Sequence, residues 1–430
     1  MDKQNGIDLP VFDQVNREIQ SYDEDQTYWW TMLGRSLSAL LKSSQYAKEE
    51  QLYYLRWYQQ WIPYSLGPKP VGGNAYYRPT FTHDGSPLEY SLNWKEKKAH
   101  QTVRFTTEPC FREAGTVADP LNQLTAKRLL VAMAKDVTSI DLVRFDSILA
   151  ETNVPDEDAD VILSKLPPGV ARARVLVAYD LEQGEVVAKA YYNPMIRAIH
   201  SGTSTKTVVF DAIRKCNGSH GSYDESIGVL RDYLDSRDAL DGPQVFLLAN
   251  DCITDSPASR IKVYVSTPVT TLAAALDAFN MGGKLTGSTT EAGLEAVRLF
   301  WRHMFSLNSS DSNIENKEVL PPGSRCVFVY EMRPTDPGQQ GADIEVKMHM
   351  PGPWLGDTDA KVCQVLSSWF QNHGHPDFAA RYQTDMASAF PKMDLNTAGD
   401  ISHTWVSLTW AQKTGLYMSM YYTPKITQFY

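Results

Sequence analysis

The sequence contains few cysteines and no long hydrophobic run. Its 430 residues include five cysteines, which are widely spaced and form no Cys-x-x-Cys pair. This arrangement argues against a disulfide scaffold or a structural zinc site and favours reduced thiols. No segment approaches the roughly 18 apolar residues that a membrane helix needs, and residues 1–16 lack the apolar stretch of a signal peptide. We therefore expect a cytoplasmic protein that does not bind membranes.

Positive charge is also in short supply. The chain has 41 Lys and Arg against 51 Asp and Glu, a net charge of −10, which argues against a broad basic face for nucleic acid. The GxxxxGK[ST] and GxSxG motifs are absent as well, so neither a P-loop nor an α/β-hydrolase is supported. Aromatic residues are plentiful instead, with 22 tyrosines and 10 tryptophans.

Five segments alternate between apolar and polar residues as half-buried strands do. They are residues 102–106, 186–192, 260–265, 344–350 and 417–421. Because successive side chains of a strand point to opposite faces, each segment has one apolar face and one face with a cation, a tyrosine or both. Their centres lie 72 to 85 residues apart, with helical patterns between them at 270–279, 291–305 and 359–372. A unit of strands and helices repeated about five times predicts a closed barrel inside a ring of helices.

Two helices are predicted before these strands. Apolar residues at spacings of three and four predict a helix over residues 28–41. A second helix, over residues 47–61, is expected to end at Pro63, because proline lacks the amide hydrogen that a helix interior needs. We expect one domain over residues 1–430, with a helical segment over about 1–75 and barrel repeats over about 76–430.

The polar faces of the strands would meet in the lumen of such a barrel and bring five cations together. They are Arg104, Lys189, Arg260, Lys262 and Lys347. Five cations without counter-charge are costly to bury, so the pattern predicts a bound polyanion, for which a diphosphate is the natural candidate. Tyrosines on the same faces are suited to shielding a carbocation. A sheet with one solvated face also shows this alternation, and that alternative remains open for any single strand.

Seven short motifs carry a resemblance to a known family. They are Leu66-Gly67-Pro68, Pro87-Leu88-Glu89-Tyr90-Ser91, Asp119-Pro120-Leu121-Asn122, Lys189-Ala190-Tyr191, Ser259-Arg260-Ile261-Lys262-Val263-Tyr264, Gly282-Gly283-Lys284-Leu285 and Tyr417-Met418-Ser419-Met420-Tyr421. With these motifs in this order, the sequence resembles the fungal indole prenyltransferases of the tryptophan dimethylallyltransferase type. The resemblance extends over nearly the whole chain, from Trp29 to Tyr421.

The resemblance implies an α+β fold, the αββα (ABBA) prenyltransferase barrel, with ten antiparallel strands in five repeats and the active site in the lumen. It also implies an enzyme of fungal secondary metabolism. Such an enzyme moves a dimethylallyl group from dimethylallyl diphosphate to an indole by electrophilic aromatic substitution. No cofactor is required and Mg²⁺ is not essential. The expected partners are the prenyl diphosphate and a small aromatic acceptor, and a homodimer remains open.

The resemblance also implies roles for individual residues. The residues implied to bind the diphosphate are Arg104, Lys189, Tyr191, Arg260, Lys262, Tyr264, Lys347, His349 and Tyr421. Those implied to shield the carbocation are Tyr191, Tyr264, Trp405, Tyr417 and Tyr421. Glu89 and Leu88 would bind the acceptor, and Glu89 and Lys189 would act in catalysis. Glu89 would accept a hydrogen bond from the indole N–H, which makes the ring more nucleophilic as positive charge develops on it.

The sequence departs from the family pattern at several positions. His349, Trp405 and Trp410 stand where tyrosine is common, so the aromatic wall is kept while hydrogen bonding to phosphate changes. Residues 245–249 carry no cation, whereas members that act on free tryptophan use an arginine on this strand. This predicts an acceptor without a free carboxylate there, such as a cyclic dipeptide, an indole alkaloid or an indole diterpene.

Two alternatives for the function remain. The acceptor could be a phenol, such as a xanthone, a naphthalene or tyrosine, because Glu89 can also accept a hydrogen bond from a hydroxyl group. The chain could instead be a non-catalytic barrel that binds isoprenoid diphosphates. The acceptor, the ring position attacked and the donor chain length are not predicted.

Two further motifs suggest a metal and are better explained otherwise. Residues 156–160 are rich in aspartate, but they follow Pro155 in a polar region and are typical of a solvated helix start. His373 and His375 flank a glycine and precede a proline, which predicts a turn rather than a metal site. No metal ligands are therefore predicted.

Overall fold

The computed structural model describes residues 8–19, 23–167, 173–237, 240–308, 313–336 and 341–426. Ten strands form a closed barrel in which each strand is antiparallel to both neighbours and follows its chain neighbour around the wall. They are β1 Leu88–Lys95, β2 Thr102–Thr107, β3 Val175–Glu182, β4 Glu185–Tyr192, β5 Gln244–Asp251, β6 Ile261–Pro268, β7 Arg325–Met332, β8 Ile344–Pro351, β9 His403–Ala411 and β10 Gly415–Tyr422. The predicted ten-stranded ABBA barrel is confirmed.

The five alternating segments are the second strands of five hairpins. In the tightest hairpin, β3 and β4 are joined by Gln183 and Gly184, which have φ values of 57° and 79°. Two positive φ values in a two-residue turn match the twist of the flanking strands, and glycine adopts such a conformation without steric cost. The strands at β2, β4, β6, β8 and β10 therefore all run in the same direction along the barrel axis.

Helices surround the barrel. They are α1 Pro10–Glu18, α2 Glu24–Trp29, α3 Arg35–Ser43, α4 Lys48–Ser65, α5 Thr125–Met133, α6 Val143–Thr152, α7 Ala159–Lys165, α8 Met195–Ser201, α9 Thr205–Arg214, α10 Asp224–Ser236, α11 Leu272–Phe279, α12 Ser288–Met304, α13 Asp359–Asn372 and α14 Pro376–Ala389. A π-helical segment, Trp30–Gly34, joins α2 to α3, and short 3₁₀ segments lie at Asp156–Asp158, Ile314–Asn316 and Gly352–Trp354. Among the described residues, no helix is both long enough and apolar enough to cross a membrane.

The predicted end of α4 was wrong by two residues. The helix continues through Pro63 to Ser65, and Leu66 then donates to the Pro63 carbonyl over 3.4 Å. A proline removes one amide donor, and in the last turn of a helix this loss affects a single bond. The described chain then runs without a strand to Leu88, so the division predicted near residue 75 falls in this connection and remains a prediction.

The hydrophobic core lies between the barrel wall and the helices. Outward side chains such as Val263, Met348 and Met418 are fully buried there. Trp57 of α4 packs edge-on against Tyr179 of β3 with ring centroids 5.0 Å apart, so the N-terminal helices share this core. Because the apolar faces are used in this way, the polar faces of the strands must line the lumen.

Candidate active site

Cations and carboxylates form one connected layer across the lumen. Asp180 contacts Arg104 at 3.0 Å and also pairs with Lys189. Asp251 contacts Lys262 at 3.0 Å and Arg260 at 2.8 Å. We call these residues, together with Glu331 and Lys347, the charged layer. The strands bring together all five cations that the sequence pattern selected.

Three carboxylates complete the charged layer. The expectation that the five cations have no counter-ion within the protein was therefore wrong. Glu331 contacts Arg260 at 3.0 Å and Lys347 at 3.8 Å, while Asp180 and Asp251 pair with the other cations. The five cations and three carboxylates leave an excess of two positive charges. Asp180 and Glu331 were missed because they lie on β3 and β7, where burial on both faces masks the alternation.

The charges of this layer shift one another's pKa values. Burial alone would raise the pKa of Asp251, but Lys262, Lys189 and Arg260 hold it well below its usual value. Glu331 behaves in the same way: burial opposes ionisation, and Lys347 and Lys262 overcome it. Burial lowers the pKa of Lys189 to about 8, against the opposing effect of Asp180. The charge of Lys189 therefore responds to pH near neutrality.

Aromatic side chains form the neighbouring layer. Tyr191, Tyr264 and His349 each lie two residues after a cation on strands that run in the same direction, so they share the next level along the axis. The ring centroids are 5.9 Å apart for Tyr191 and Tyr264, 6.2 Å for Tyr264 and His349, and 5.6 Å for His349 and Tyr421. Trp405 pairs with Tyr421 across β9 and β10. We call these five residues and Phe246 the aromatic collar.

The collar encloses a cavity of about 240 Å³, which we call the lumen cavity. Among the described residues, none of the five cations lines it, because the ion pairs close the charged layer. Burial and Lys347 lower the pKa of His349 to about 3, so its imidazole is neutral near pH 7. A neutral imidazole offers a single N–H, which makes His349 a weaker phosphate ligand than a cation.

Tyr417 lies apart from the other proposed shield residues. It is four residues before Tyr421 on β10 and therefore on the far side of the charged layer. Its hydroxyl group hydrogen-bonds with the Asn93 amide over 2.8 Å, and the Lys347 ammonium lies 4.7 Å from its ring centroid. Burial would raise its pKa, but Arg104 and Lys347 lower it to about 8. The structure does not bring Tyr417 to the collar.

Glu89 lines the lumen cavity from β1, and its partly buried carboxyl group has one side-chain hydrogen-bond partner among the described residues. Thr404 donates to Glu89 Oε1 over 2.6 Å. Burial raises the pKa of Glu89 to about 7, although the Thr404 hydrogen bond acts to lower it. Thr404 was missed by the sequence argument, since nothing in its neighbourhood distinguishes it from an ordinary strand residue.

Leu88 and Trp410 have side chains on the outer face of the barrel. Leu88 is fully buried in the hydrophobic core, so only its backbone is available toward the lumen. Trp410 lies five positions after Trp405 and hence on the opposite face, packed against the core. The expectation that Trp410 extends the aromatic wall was wrong, and strand alternation alone would have excluded it.

Several cavity-lining residues were not predicted. A bulge between Val245 and Leu247 turns both Phe246 and Leu247 into the lumen cavity. Arg174, just before β3, also lines it and donates to the backbone carbonyls of Asn193, over 2.9 Å, and Thr152. Burial lowers the pKa of Arg174 to about 10. Arg174 lies outside residues 245–249, the strand on which the sequence pattern shows no cation.

The two metal-like motifs lie outside the lumen cavity. Asp158 pairs with His200 at 2.9 Å, and the His373 and His375 rings bond to the carbonyls of Trp369 and Glu96, each over 2.8 Å. Within the described ranges, no group of three or more His, Cys, Asp or Glu side chains is arranged to hold a metal ion.

Comparison with protein families gives one match over most of the chain. The family model described as tryptophan dimethylallyltransferase matches residues 25–385. Prenyltransferase iacE of Pestalotiopsis fici is 45% identical over 425 residues, which cover 98% of this chain and 96% of that protein. The 7-dimethylallyltryptophan synthase hasE of Aspergillus fumigatus is 27% identical, covering 93% of this chain and 85% of that protein.

Solved structures show the same architecture. AnaPT from Neosartorya fischeri superimposes with a TM-score of 0.83 at 25% identity, covering 96% of this chain and 98% of that one. NotF in complex with brevianamide F and DMSPP superimposes with a TM-score of 0.80 at 22% identity, covering 97% of this chain and 99% of that one. The second likeness concerns the fold alone.

Proposed function

This chain is an aromatic prenyltransferase of the tryptophan dimethylallyltransferase family, and we propose that it transfers dimethylallyl from its diphosphate to an indole. The observation that carries the proposal is the placement of two layers. A charged layer with excess positive charge lies directly beside an aromatic collar, and Glu89 faces the cavity that the collar encloses. The charged layer suits the leaving group, the collar suits the carbocation, and Glu89 suits the acceptor.

Diphosphate binding in this site is an exchange of counter-ions. The ion pairs of Lys189, Lys262 and Arg260 with Asp180, Asp251 and Glu331 must loosen so that phosphate oxygens take the cations. The excess positive charge favours this exchange, and a nearby diphosphate raises the pKa of Lys189 above about 8 and keeps it protonated. The allylic C–O bond then breaks, and its electron pair remains on the diphosphate oxygen.

The collar shields the dimethylallyl cation, and Glu89 activates the indole ring that attacks it. Tyr191, Tyr264 and Tyr421 present electron-rich rings to the dimethylallyl cation and exclude water from it. The ionised Glu89 carboxylate accepts a hydrogen bond from the indole N–H. This hydrogen bond stabilises the positive charge that develops on the ring as its carbon forms the new C–C bond. Loss of the ring proton to a base restores aromaticity.

The protein cations also bear on the need for a metal. Five protein cations surround the proposed diphosphate position and supply the charge that Mg²⁺ supplies to many phosphate sites. We propose that turnover needs no bound metal and that residues 1–430 act as one domain. The lumen cavity of about 240 Å³ favours dimethylallyl over a longer prenyl donor.

The direct test is a product assay. Radiolabelled dimethylallyl diphosphate is incubated with a panel of indoles and phenols, with and without EDTA, and products are assigned by mass spectrometry and NMR. We expect a C-prenylated indole whose yield is unchanged by EDTA. No transfer to any indole, or a requirement for added Mg²⁺, would contradict the corresponding part of the proposal.

A phenol is the second candidate acceptor, and the pKa of Glu89 is the observation that favours it. A carboxyl group with a pKa of about 7 can take a proton from a phenol, whereas an indole needs only a hydrogen-bond acceptor. The name prenyltransferase iacE, of the relative with 45% identity, specifies no acceptor. Competition between an indole and a hydroquinone in one reaction decides which ring has the larger kcat/KM.

A further inference from the structure

A second cavity lies against the lumen cavity on the outside of the barrel. We call it the outer cleft; it has a volume of about 640 Å³ and is lined by Tyr76, Tyr77, Thr80, Thr116, Leu121 and Leu163, among others. Thr80 lines both cavities. The two cavities therefore adjoin at Thr80.

The sizes of the two cavities differ in a way that bears on the acceptor. Sites for drug-sized ligands usually measure about 300–1,000 Å³. The lumen cavity has about 240 Å³ for both the dimethylallyl group and the reacting ring, while the outer cleft alone has about 640 Å³. An acceptor larger than its reacting ring must therefore continue beyond the collar.

The edge that the two cavities share is held in place by buried hydrogen bonds. The Glu108 carboxyl group accepts from the amides of Thr80, over 2.8 Å, and Phe81, over 3.3 Å. The Thr80 hydroxyl group in turn accepts from the Ala173 amide over 2.9 Å. Glu108 is fully buried, so this edge is preformed and does not have to be ordered when a ligand binds.

We propose that the outer cleft binds the part of the acceptor that lies beyond the reacting ring. This inference rests on the proposed function and adds a substrate class to it: an aromatic ring that carries an extended substituent with an apolar part. Leu121 and Leu163 provide an apolar floor, Tyr76 and Tyr77 provide aromatic walls, and Arg78 and Thr116 line the polar part of the cleft. Because the cleft adjoins the lumen cavity at Thr80, the occupant to which we commit is the acceptor itself.

The test uses two ring series, indoles and hydroquinones, each with no substituent, a butyl chain or an octyl chain. Dissociation constants are measured calorimetrically in the presence of inorganic diphosphate, and kcat/KM is measured with dimethylallyl diphosphate. Leu163→Trp narrows the cleft from a partly exposed position on α7. Val161→Trp is the matched control, since Val161 is 55% exposed on the same helix and does not line the cleft.

In the wild type, we expect the octyl compounds to bind about ten-fold or more tightly than the bare rings, because the chain buries apolar surface in the cleft. Leu163→Trp should bring this ratio close to one, and Val161→Trp should preserve it. Tyr76→Ala, at a 49% exposed position, should also lower the ratio, and it removes the hydrogen bond from the Tyr76 hydroxyl group to the Arg112 carbonyl. Thermal melting checks the fold of each variant.

Two results would overturn the inference: a ratio near one in the wild type, or equal ratios in the wild type and Leu163→Trp. A change confined to the preference for geranyl diphosphate would assign the cleft to the donor instead and would also overturn it. Failure of the proposed function looks different. In that case the chain-length dependence of binding persists while no ring is prenylated.

Discussion

The charged layer and the aromatic collar differ in how far their chemistry is satisfied before a substrate binds. In the charged layer every cation has a carboxylate partner, and Asp251 contacts both Lys262 and Arg260. Beside the collar, Thr404 is the single side-chain donor to Glu89 in the part of the chain that the structure describes, and the rings face a cavity. One layer is closed by its own contacts, whereas the other is open.

This difference separates stability from reaction. Buried cations are strongly destabilising without counter-ions, so the carboxylates let the barrel fold with the leaving-group site already in place. The same ion pairs compete with the diphosphate, so part of its binding energy is used to separate them. The collar has no such competitor, and its rings are available to the carbocation as soon as it forms.

The largest expected effect comes from breaking the charged layer. Asp251→Asn leaves Lys262, Arg260 and Lys189 short of one negative charge in a buried site. We expect the free energy of unfolding to fall by about 3 to 5 kcal/mol, as for other buried pairs that lose one partner. Inorganic diphosphate should stabilise the variant more than the wild type, because it replaces the missing charge. Chemical denaturation with and without diphosphate measures both quantities.

The control for this experiment is Asp235→Asn. Asp235 pairs with Lys206 at the surface, where the two side chains are 53% and 30% exposed. An exposed pair contributes less than about 1 kcal/mol, so stability should barely change. If both variants lost the same free energy of unfolding, the carboxylates of the charged layer would not be needed to balance its buried cations.

Glu89 gives the second effect, on the rate. Glu89→Gln keeps the shape but not the charge, and kcat/KM should fall about 100- to 1,000-fold, as when a preorganised contact at a reacting centre is lost. The ionised carboxylate of Glu89 is the form that accepts the hydrogen bond from the N–H or O–H group of the prenyl acceptor. With a pKa of about 7, wild-type kcat/KM should therefore rise with pH through this value. A pH profile of kcat/KM for both proteins measures the loss and the acid limb.

The pH dependence of the free energy of unfolding provides an independent check on Glu89, because stability should fall with pH where kcat/KM rises. Because folding raises the pKa of Glu89, its contribution to stability is largest below the ordinary pKa of 4.5 and is lost as pH rises through about 7. Glu89→Gln should weaken this dependence, and the part that remains belongs to Glu108, whose pKa burial also raises to about 7. An acid limb of kcat/KM that is retained in the variant would assign that titration to a group other than Glu89.

Much of this arrangement could be predicted from the sequence, because strand alternation is a local property. The pattern around Lys189, Lys262 and Lys347 placed each cation and the ring two residues later on one face, and the strands were found. Asp180 and Glu331 could not be found in this way. They lie on β3 and β7, which are buried on both faces, so their sequences show no alternation to mark the lumen.

Other features depend on contacts between distant segments. Thr404 reaches Glu89 across 315 positions in sequence, and Arg174 enters the lumen cavity from outside the strand pattern. The bulge that turns both Phe246 and Leu247 inward breaks the two-residue period on which the sequence argument relied. Register and bulges are set by tertiary packing, so no local pattern could reveal them.

A smaller effect separates the two layers at neighbouring positions. His349 and Lys347 lie on the same face of β8, but His349 is neutral and belongs to the collar. We expect Lys347→Met to raise the KM for dimethylallyl diphosphate about ten-fold, through loss of a phosphate contact. His349→Phe should leave this KM within about two-fold and lower kcat only a few-fold. Steady-state kinetics at saturating acceptor distinguishes the two, and a ten-fold KM effect at His349 would place it in the diphosphate site.

The smallest effect is expected where the barrel wall separates inside from outside. Trp405 and Trp410 lie on opposite faces of β9, and the Lys97 ammonium is 6.0 Å from the Trp410 ring on the outside. Trp410→Phe keeps an apolar ring in place, so kcat/KM should remain within about two-fold of the wild type. Trp405→Phe removes the larger ring from the collar and should lower kcat several-fold through poorer shielding of the cation. Parallel product assays measure both, and an equal loss in both variants would mean that strand alternation does not decide which aromatic rings take part in the reaction.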